Sequence, residues 1–371
     1  MAARCSSAAS GTPSARSPRA SSRREQRRPP CQQARPSSLT LRARSATETE
    51  RGGWDDIVAA TGTPHLLQTA AWAALKSTTG WRATRWILED ESGLVGAAQV
   101  LSKPLPLGLS VAYAPRGPLV EAAKLPEAVA AIARALAVER CAGLLCDPEV
   151  EDGPEIRAAL VAAGARPAGV FVQPRRTLLM DLRRSPEELL GSMRKKTRQY
   201  IHKAERDGVV TEEARDLDRF VAILGRVAER DRFAIHDRAY FARLLDLFGE
   251  RVHLLFARVG AEDAGALLVI RVADRAWELY GGWSGAHPEA RPFYLLKWRS
   301  LTAMRQRGVT RYDMWGLAER EGDALSGVEN FKLGFGGATV SWVGAYDLPV
   351  RPLLYPLWRL SGRRRLAAAA R

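Results

Sequence analysis

The chain runs twice through the same succession of segments, and that repetition limits what it can fold into. In the first half the alternating runs ATRWILED and LVGAAQVL are joined by Glu91, Ser92 and Gly93, a spacing that predicts an antiparallel hairpin. There follow an extended segment, a helix over Leu125 to Glu139, a strand over Gly143 to Cys146, a helix over Glu155 to Ala163 and a strand over Val170 to Leu182. In the second half VHLLFARV and AGALLVIRV make a hairpin around Gly260 to Asp263. A strand in RAWELYGGW, a helix from Pro292 to Arg307, a strand from Thr310 to Trp315, a short helix and a strand from Ala338 to Gly344 complete the order. Strand Leu144 to Asp147 answers Arg311 to Asp313, and VAAGARPAGVFV answers KLGFGGATVSWV. The pattern predicts an α/β or α+β chain built from two similar units, each a mixed, mostly antiparallel sheet flanked by helices.

The second copy carries the more informative stretch, Asn330, Phe331, Lys332, Leu333, Gly334, Phe335, Gly336 and Gly337. A helix over about Ser326 to Leu333 is expected to stop at these glycines, which adopt positive φ without strain. Lys332 then lies in the last turn of a helix between two strands. Such a cation gains ~0.3 to 1 kcal/mol from the negative end of the helix dipole, so it reads either as a C-terminal cap or as a charge held toward a ligand. Only the second copy has a lysine at that place, as expected if that copy carries the chemistry.

The residues also resemble a family. FKLGFGG, followed by a strand and the aromatic-rich GAYDL, closely resembles the signature near the end of FemABX-type aminoacyltransferases, the enzymes that form peptidoglycan bridges. LLQTAAWAALK (Leu66 to Lys76), KKTRQYIHKAERDGV (Lys195 to Val209), YGGWS (Tyr280 to Ser284), YLLKWRSLTAMRQRGV (Tyr294 to Val309) and YDMWG (Tyr312 to Gly316) stand in the family's order. The resemblance implies two tandem GNAT-like domains, residues 51–182 and 183–340, the first completed by residues 341–358. It implies transfer of an amino acid from aminoacyl-tRNA to an amine of a peptidoglycan precursor, lipid II or UDP-MurNAc-pentapeptide, by a cytoplasmic monomer with a peripheral contact at the inner face of the plasma membrane. Aminoacyl-tRNA is then a co-substrate, and no cofactor is expected.

Charge agrees with a polyanionic partner. The 371 residues carry a formal net charge of +15, and clustered Lys and Arg concentrate nucleic acid, phosphorylated substrates or an acidic membrane face. Part of that charge lies in residues 1–50, rich in Ser, Arg, Pro and Ala, which read as a disordered basic segment, an organellar transit peptide or the product of a misassigned start codon. The end, PVRPLLYPLWRLSGRRRLAAAAR, suits an anionic membrane surface or packing of Leu353 to Trp358 on the first domain, with residues 359–371 a basic tail. Cys5, Cys31, Cys141 and Cys146 form no C-x-x-C and have no nearby His, so a metal site has no support. The apolar run Pro104 to Pro115 is too short to span a bilayer.

Between the halves, Ser185 and Glu188 make a capping box with Pro186 at the first helical position. The next helix crowds Arg194, Lys195, Lys196, Arg198, Lys203 and Arg206 against only Glu205 and Asp207, either a solvated basic face or a surface for a polyanion. Hydrolase readings fail: GGWSG is not a nucleophile elbow, and the histidines form no H-E-x-x-H. The pyrophosphate-binding turn of an acyl-CoA transferase is not found where helix Pro292 to Arg307 begins. An acyl-CoA-dependent N-acyltransferase and a non-catalytic RNA- or membrane-binding protein stand as the rival readings.

For transfer from an ester, positioning supplies much of the rate. Lys332 is assigned to the oxyanion and the tRNA phosphate, and Phe331 to the wall beside it or to core packing. Asp313 and Asp147, each ending a strand, are candidate acceptors of the amine's proton or plain turn formers. By resemblance, Lys76, Arg198, Arg230, Tyr240 and Tyr280 bind the acceptor, with helix capping the alternative for Lys76.

Overall fold

The computed structural model describes residues 41–169, 172–231, 234–319 and 326–357. In chain order its strands are β1 (Arg42–Ser45), β2 (Arg82–Asp90), β3 (Gly93–Leu105), β4 (Leu109–Ala114), β5 (Leu119–Val120), β6 (Cys141–Cys146), β7 (Arg166–Pro167) and β8 (Arg176–Asp181). The second half adds β9 (Val209–Glu213), β10 (Val252–Val259), β11 (Glu262–Val272), β12 (Arg275–Trp283), β13 (Arg311–Asp313), β14 (Ala338–Ser341) and β15 (Tyr346–Pro349). The chain adopts the expected α/β class, with two mixed, mostly antiparallel sheets flanked by helices.

The two sheets have the same plan. The first runs β1-β2-β3-β4-β6-β15-β7, with β5 paired to β3; the second, read from its far end, runs β9-β10-β11-β12-β13-β8-β14. Each contains one parallel pair at the same place, β4 with β6 and β12 with β13. Each is also completed by a strand from the other half. β8 lies between β13 and β14, and β15 lies between β6 and β7. Neither sheet is whole without the other half of the chain.

This exchange moves a boundary. Sequence pattern puts the strand ending at Leu182 in the first domain, yet β8 pairs with β13 and β14, Leu179 opposite Asp313 and Ala338. Local alternation fixes that a strand forms and leaves its partner open. Of the expected strand from Val170, residues 170–171 lie outside the described residues. A second correction concerns residues 1–50, expected to be disordered: β1 pairs with β2, and a short helix Glu48–Gly52 follows a capping box of Thr47 and Glu50. Arg44 ties the two together through Glu50 and Glu89. Residues 1–40, Trp358 and the tail at 359–371 lie outside the described residues.

Packing joins the halves as well as the strands do. One core takes Leu101, Tyr113 and Leu145 from the first sheet with Leu268, Ile270 and Trp277 from the second, and each large apolar side chain so buried contributes about 1.5 to 3 kcal/mol. On the outer face of the second sheet lies the central helix Pro292–Gln306. Pro292 suits its first turn, and Leu295, Leu296, Leu301 and Met304 bury into a core with Leu255, Leu267 and Val269. Two polar side chains, Lys297 and Ser300, also point into that core.

Candidate active site

A cavity of ≈ 850 Å³ opens where the end of β12, the start of the central helix, the loop after β13 and the site helix Ser326–Leu333 converge. Two features of β12 create the space. A register shift between Leu268 and Val269 leaves Leu279 without a cross-strand partner, and such a bulge turns the strand, so Glu278, Leu279 and Tyr280 all border the cavity. Gly281 then takes φ 147°, and a Cβ there would lie 2.3 Å from the Ala266 carbonyl oxygen, so no other residue allows this close approach.

Lys332 borders the cavity from the last turn of the site helix. It is 9% exposed, and it does not cap its own helix: its ammonium donates to the carbonyl oxygens of Trp315 (2.7 Å) and Gly316 (2.8 Å), across in the loop after β13. An ammonium has three donors, so among the described residues one is left for a ligand. Burial, then the charge of Lys297, pushes its pKa down to about 8, against the opposing pull of Glu278 and Asp313. Phe331 both packs and lines the wall. Its ring stacks on Phe293 at 5.5 Å and meets Tyr294 edge-on at 4.9 Å.

Arg230 and Tyr280 border the same cavity. Arg230 pairs with Asp231, donates to the Trp283 carbonyl and lies 5.2 Å from the Trp283 ring. The Tyr280 hydroxyl, its pKa pushed up to about 12 by burial, is 3.2 Å from the hydroxyl of Tyr240. Tyr240 stands behind it, stacked on His236 at 3.7 Å, and does not itself line the cavity.

The remaining candidates lie elsewhere. Asp313 is buried beside the cavity without bordering it: one carboxylate oxygen accepts from the Trp315 N–H at 2.7 Å and from Thr177. It holds the loop that holds Lys332. Asp147, its counterpart in the first sheet, accepts from the Tyr113 hydroxyl and the Arg116 N–H, each at 2.8 Å, with burial pushing its pKa up to about 6. Arg198 donates to the carbonyls of Gly191 and Met193 and closes the end of helix Pro186–Ser192. Lys76 ends helix Ala70–Ser77 in the first half, its ammonium 4.9 Å from the Trp72 ring, with burial and then Lys103 pushing its pKa down to about 8.

Sequence reading missed a buried ion pair in the cavity wall. Lys297 of the central helix binds Glu278 of β12, whose other oxygen accepts from the Tyr312 hydroxyl at 3.1 Å, and Ser300 joins Tyr312 at 2.9 Å. The Lys297 ammonium also lies 5.8 Å from the Phe331 ring. The signal was present: a lysine among Leu295, Leu296 and Trp298, and a glutamate inside an apolar strand. Such charges are buried only when paired.

The chain belongs to the FemAB family, whose model matches residues 50–151, 167–265 and 261–362. Among individual proteins it is similar to the "Lipid II:glycine glycyltransferase" of Staphylococcus aureus strain MRSA252, 29% identical over 203 residues, 50% of this chain and 48% of that protein. The USA300 protein of the same name gives the same figures. The chain thus spans about half the length of the curated relatives it matches. The crystal structure of FemX has the same fold, with a TM-score of 0.76 at 21% identity over 85% of this chain and 99% of that one.

Proposed function

We propose that this chain transfers an amino acid from the ester of an aminoacyl-tRNA to an amine of a peptidoglycan precursor. The observation that carries the reading is the buried Lys332 ammonium, held by two backbone carbonyls at a cavity wall with one donor free among the described residues. Membership of the FemAB family supports it, and relatives named for glycyl transfer to lipid II support that class of acceptor.

The amine nitrogen attacks the ester carbonyl carbon, a C–N bond forms, and the C–O bond to the ribose breaks. The nitrogen gives up one proton and the departing ribose oxygen takes up one, so no redox partner is required. Negative charge develops on the carbonyl oxygen, and a preorganised ammonium in a site shielded from water stabilises it more than bulk solvent would. Phe331 and Tyr294 restrict the approach, while Arg230 and Tyr280 border the same space. With a lipid-linked acceptor the protein works at the inner membrane face as a peripheral protein. Among the described residues no helix is long and apolar enough to cross a membrane.

The test is incubation of the purified full chain with charged tRNA and either lipid II or UDP-MurNAc-pentapeptide, read by mass spectrometry. The expected product is heavier by one or more aminoacyl residues. Transfer from acetyl-CoA with none from charged tRNA would contradict the proposal.

A further inference from the structure

The helix Lys195–Arg206 is coupled to the cavity by backbone and by an edge-on contact between two rings. The Arg194 N–H donates to the Gly334 carbonyl at 2.9 Å, tying the helix start to the glycine loop behind Lys332. Along the helix, the Tyr200 ring meets Tyr294 of the cavity wall edge-on at 4.9 Å. Two cations share that ring: Arg291, itself at the cavity edge, lies 4.6 Å from its centroid, and Lys196 lies 5.6 Å away. The acids of the helix are spent on its far end, where Glu205 serves His202 and Arg299, and Asp207 serves Lys203. Arg194, Lys195 and Lys196 are exposed and form no ion pair among the described residues.

From this geometry we infer that Arg291, Tyr200, Lys195 and Lys196 form a track for the single-stranded 3′ end of an RNA entering the cavity. Unpaired cations around an aromatic face are the combination that binds single-stranded nucleic acid, the cations on phosphates and the ring under a base. The track leads inward through Tyr294 and Phe331 to Lys332, so an ester at the 3′ terminus reaches the ammonium while the nucleotides before it cross Tyr200. The inference rests on the proposed use of an aminoacyl-tRNA donor and adds where that donor is gripped.

The experiment is fluorescence anisotropy with an uncharged RNA hairpin carrying a four-nucleotide single-stranded 3′ end, a blunt hairpin, and vesicles containing phosphatidylglycerol. Three variants of the full chain are compared: Lys195→Glu with Lys196→Glu, Tyr200→Ala, and Arg42→Glu on the edge of the other sheet. The overhanging hairpin should bind more tightly than the blunt one. The double reversal should weaken it by more than about tenfold and flatten its salt dependence by roughly 1.5 in slope, and Tyr200→Ala should weaken it about five- to hundredfold. Arg42→Glu should bind as wild type. Equal binding of both hairpins, RNA affinity unchanged in the double reversal, or loss of vesicle binding alone would overturn the track. Tight binding through this face with no transfer from any charged tRNA would leave the track standing and remove the donor assignment. Transfer from charged tRNA unaffected by the double reversal would do the opposite.

Discussion

The ammonium of Lys332 lies 2.7 Å from the carbonyl oxygen of Trp315, and the backbone that presents this oxygen is left-handed, with φ 57° at Trp315. A bulky residue holds such a conformation only where its surroundings over-determine it. Here Asp313 accepts the Trp315 N–H. The order of dependence is Asp313, then Trp315, then Lys332.

We propose Asp313 as a positioning residue. Asp313→Asn keeps an oxygen for the Trp315 N–H and should retain transfer within about tenfold, while Asp313→Ala should lose about ten- to hundredfold. Steady-state transfer rates of the two variants check this. Equal and near-complete loss in both would mean that the carboxylate itself takes the proton.

The depressed pKa of Lys332 gives a pH dependence with a definite sign. With its value about 8, the ammonium is about nine-tenths charged at pH 7 and about one-tenth at pH 9. Transfer should fall as the pH rises through 8, and the Lys332→Met variant should lack this limb. For stability, the folded state binds fewer protons than the unfolded state between about 8 and the ordinary value of 10.5. Wild type should thus gain on Lys332→Met across that window as the pH rises, measured by urea unfolding at matched pH values.

Glu278 and Lys297 are buried together, and removing one strands the other. Glu278→Gln should cost about 3 to 5 kcal/mol in denaturant unfolding. The double variant Glu278→Gln, Lys297→Met should recover a large part of that loss. A single substitution costing under about 1 kcal/mol would show that the pair is hydrated.

The glycine loop after the site helix is closely packed, and Gly337 tolerates nothing larger. Gly337 has φ 84°, and a Cβ there would lie 2.6 Å from the Leu179 carbonyl oxygen. Gly337→Ala should destabilise by more than about 2 kcal/mol, from left-handed strain and the clash together. Gly225, inside helix Leu217–Asp231 with open space around its Cα, is the contrast. Gly225→Ala should stabilise by about 0.5 to 1 kcal/mol. Thermal melts of the two variants read both signs.

The hairpin of β2 and β3 was legible because two apolar-rich runs of strand length flank a short turn, and the doubled order of segments was legible because such runs recur in the second half. The exchange of β8 was not, since nothing local to the strand records its neighbours, whereas β15 joins the first sheet as the family resemblance implied for residues 341–358. Biased composition hid the capping box of Thr47 and Glu50 at the edge of the basic segment. At the site, Lys332, Phe331, Arg230 and Tyr280 border one cavity. Arg198 does not, because its partners are backbone carbonyls that no side-chain pattern reveals. Glu278 and Lys297 went unseen because each alone reads as an isolated charge, and only the packing of β12 against the central helix pairs them.

Single-turnover transfer of a labelled amino acid from charged tRNA to the precursor, by wild type and Lys332→Met at pH 7, tests the role of Lys332 most directly. With the fold intact by circular dichroism, the variant should be slower by about 10²- to 10³-fold, the cost of losing one preorganised donor to an oxyanion, with tRNA affinity changed less than about tenfold. A variant within about threefold of wild type would contradict it.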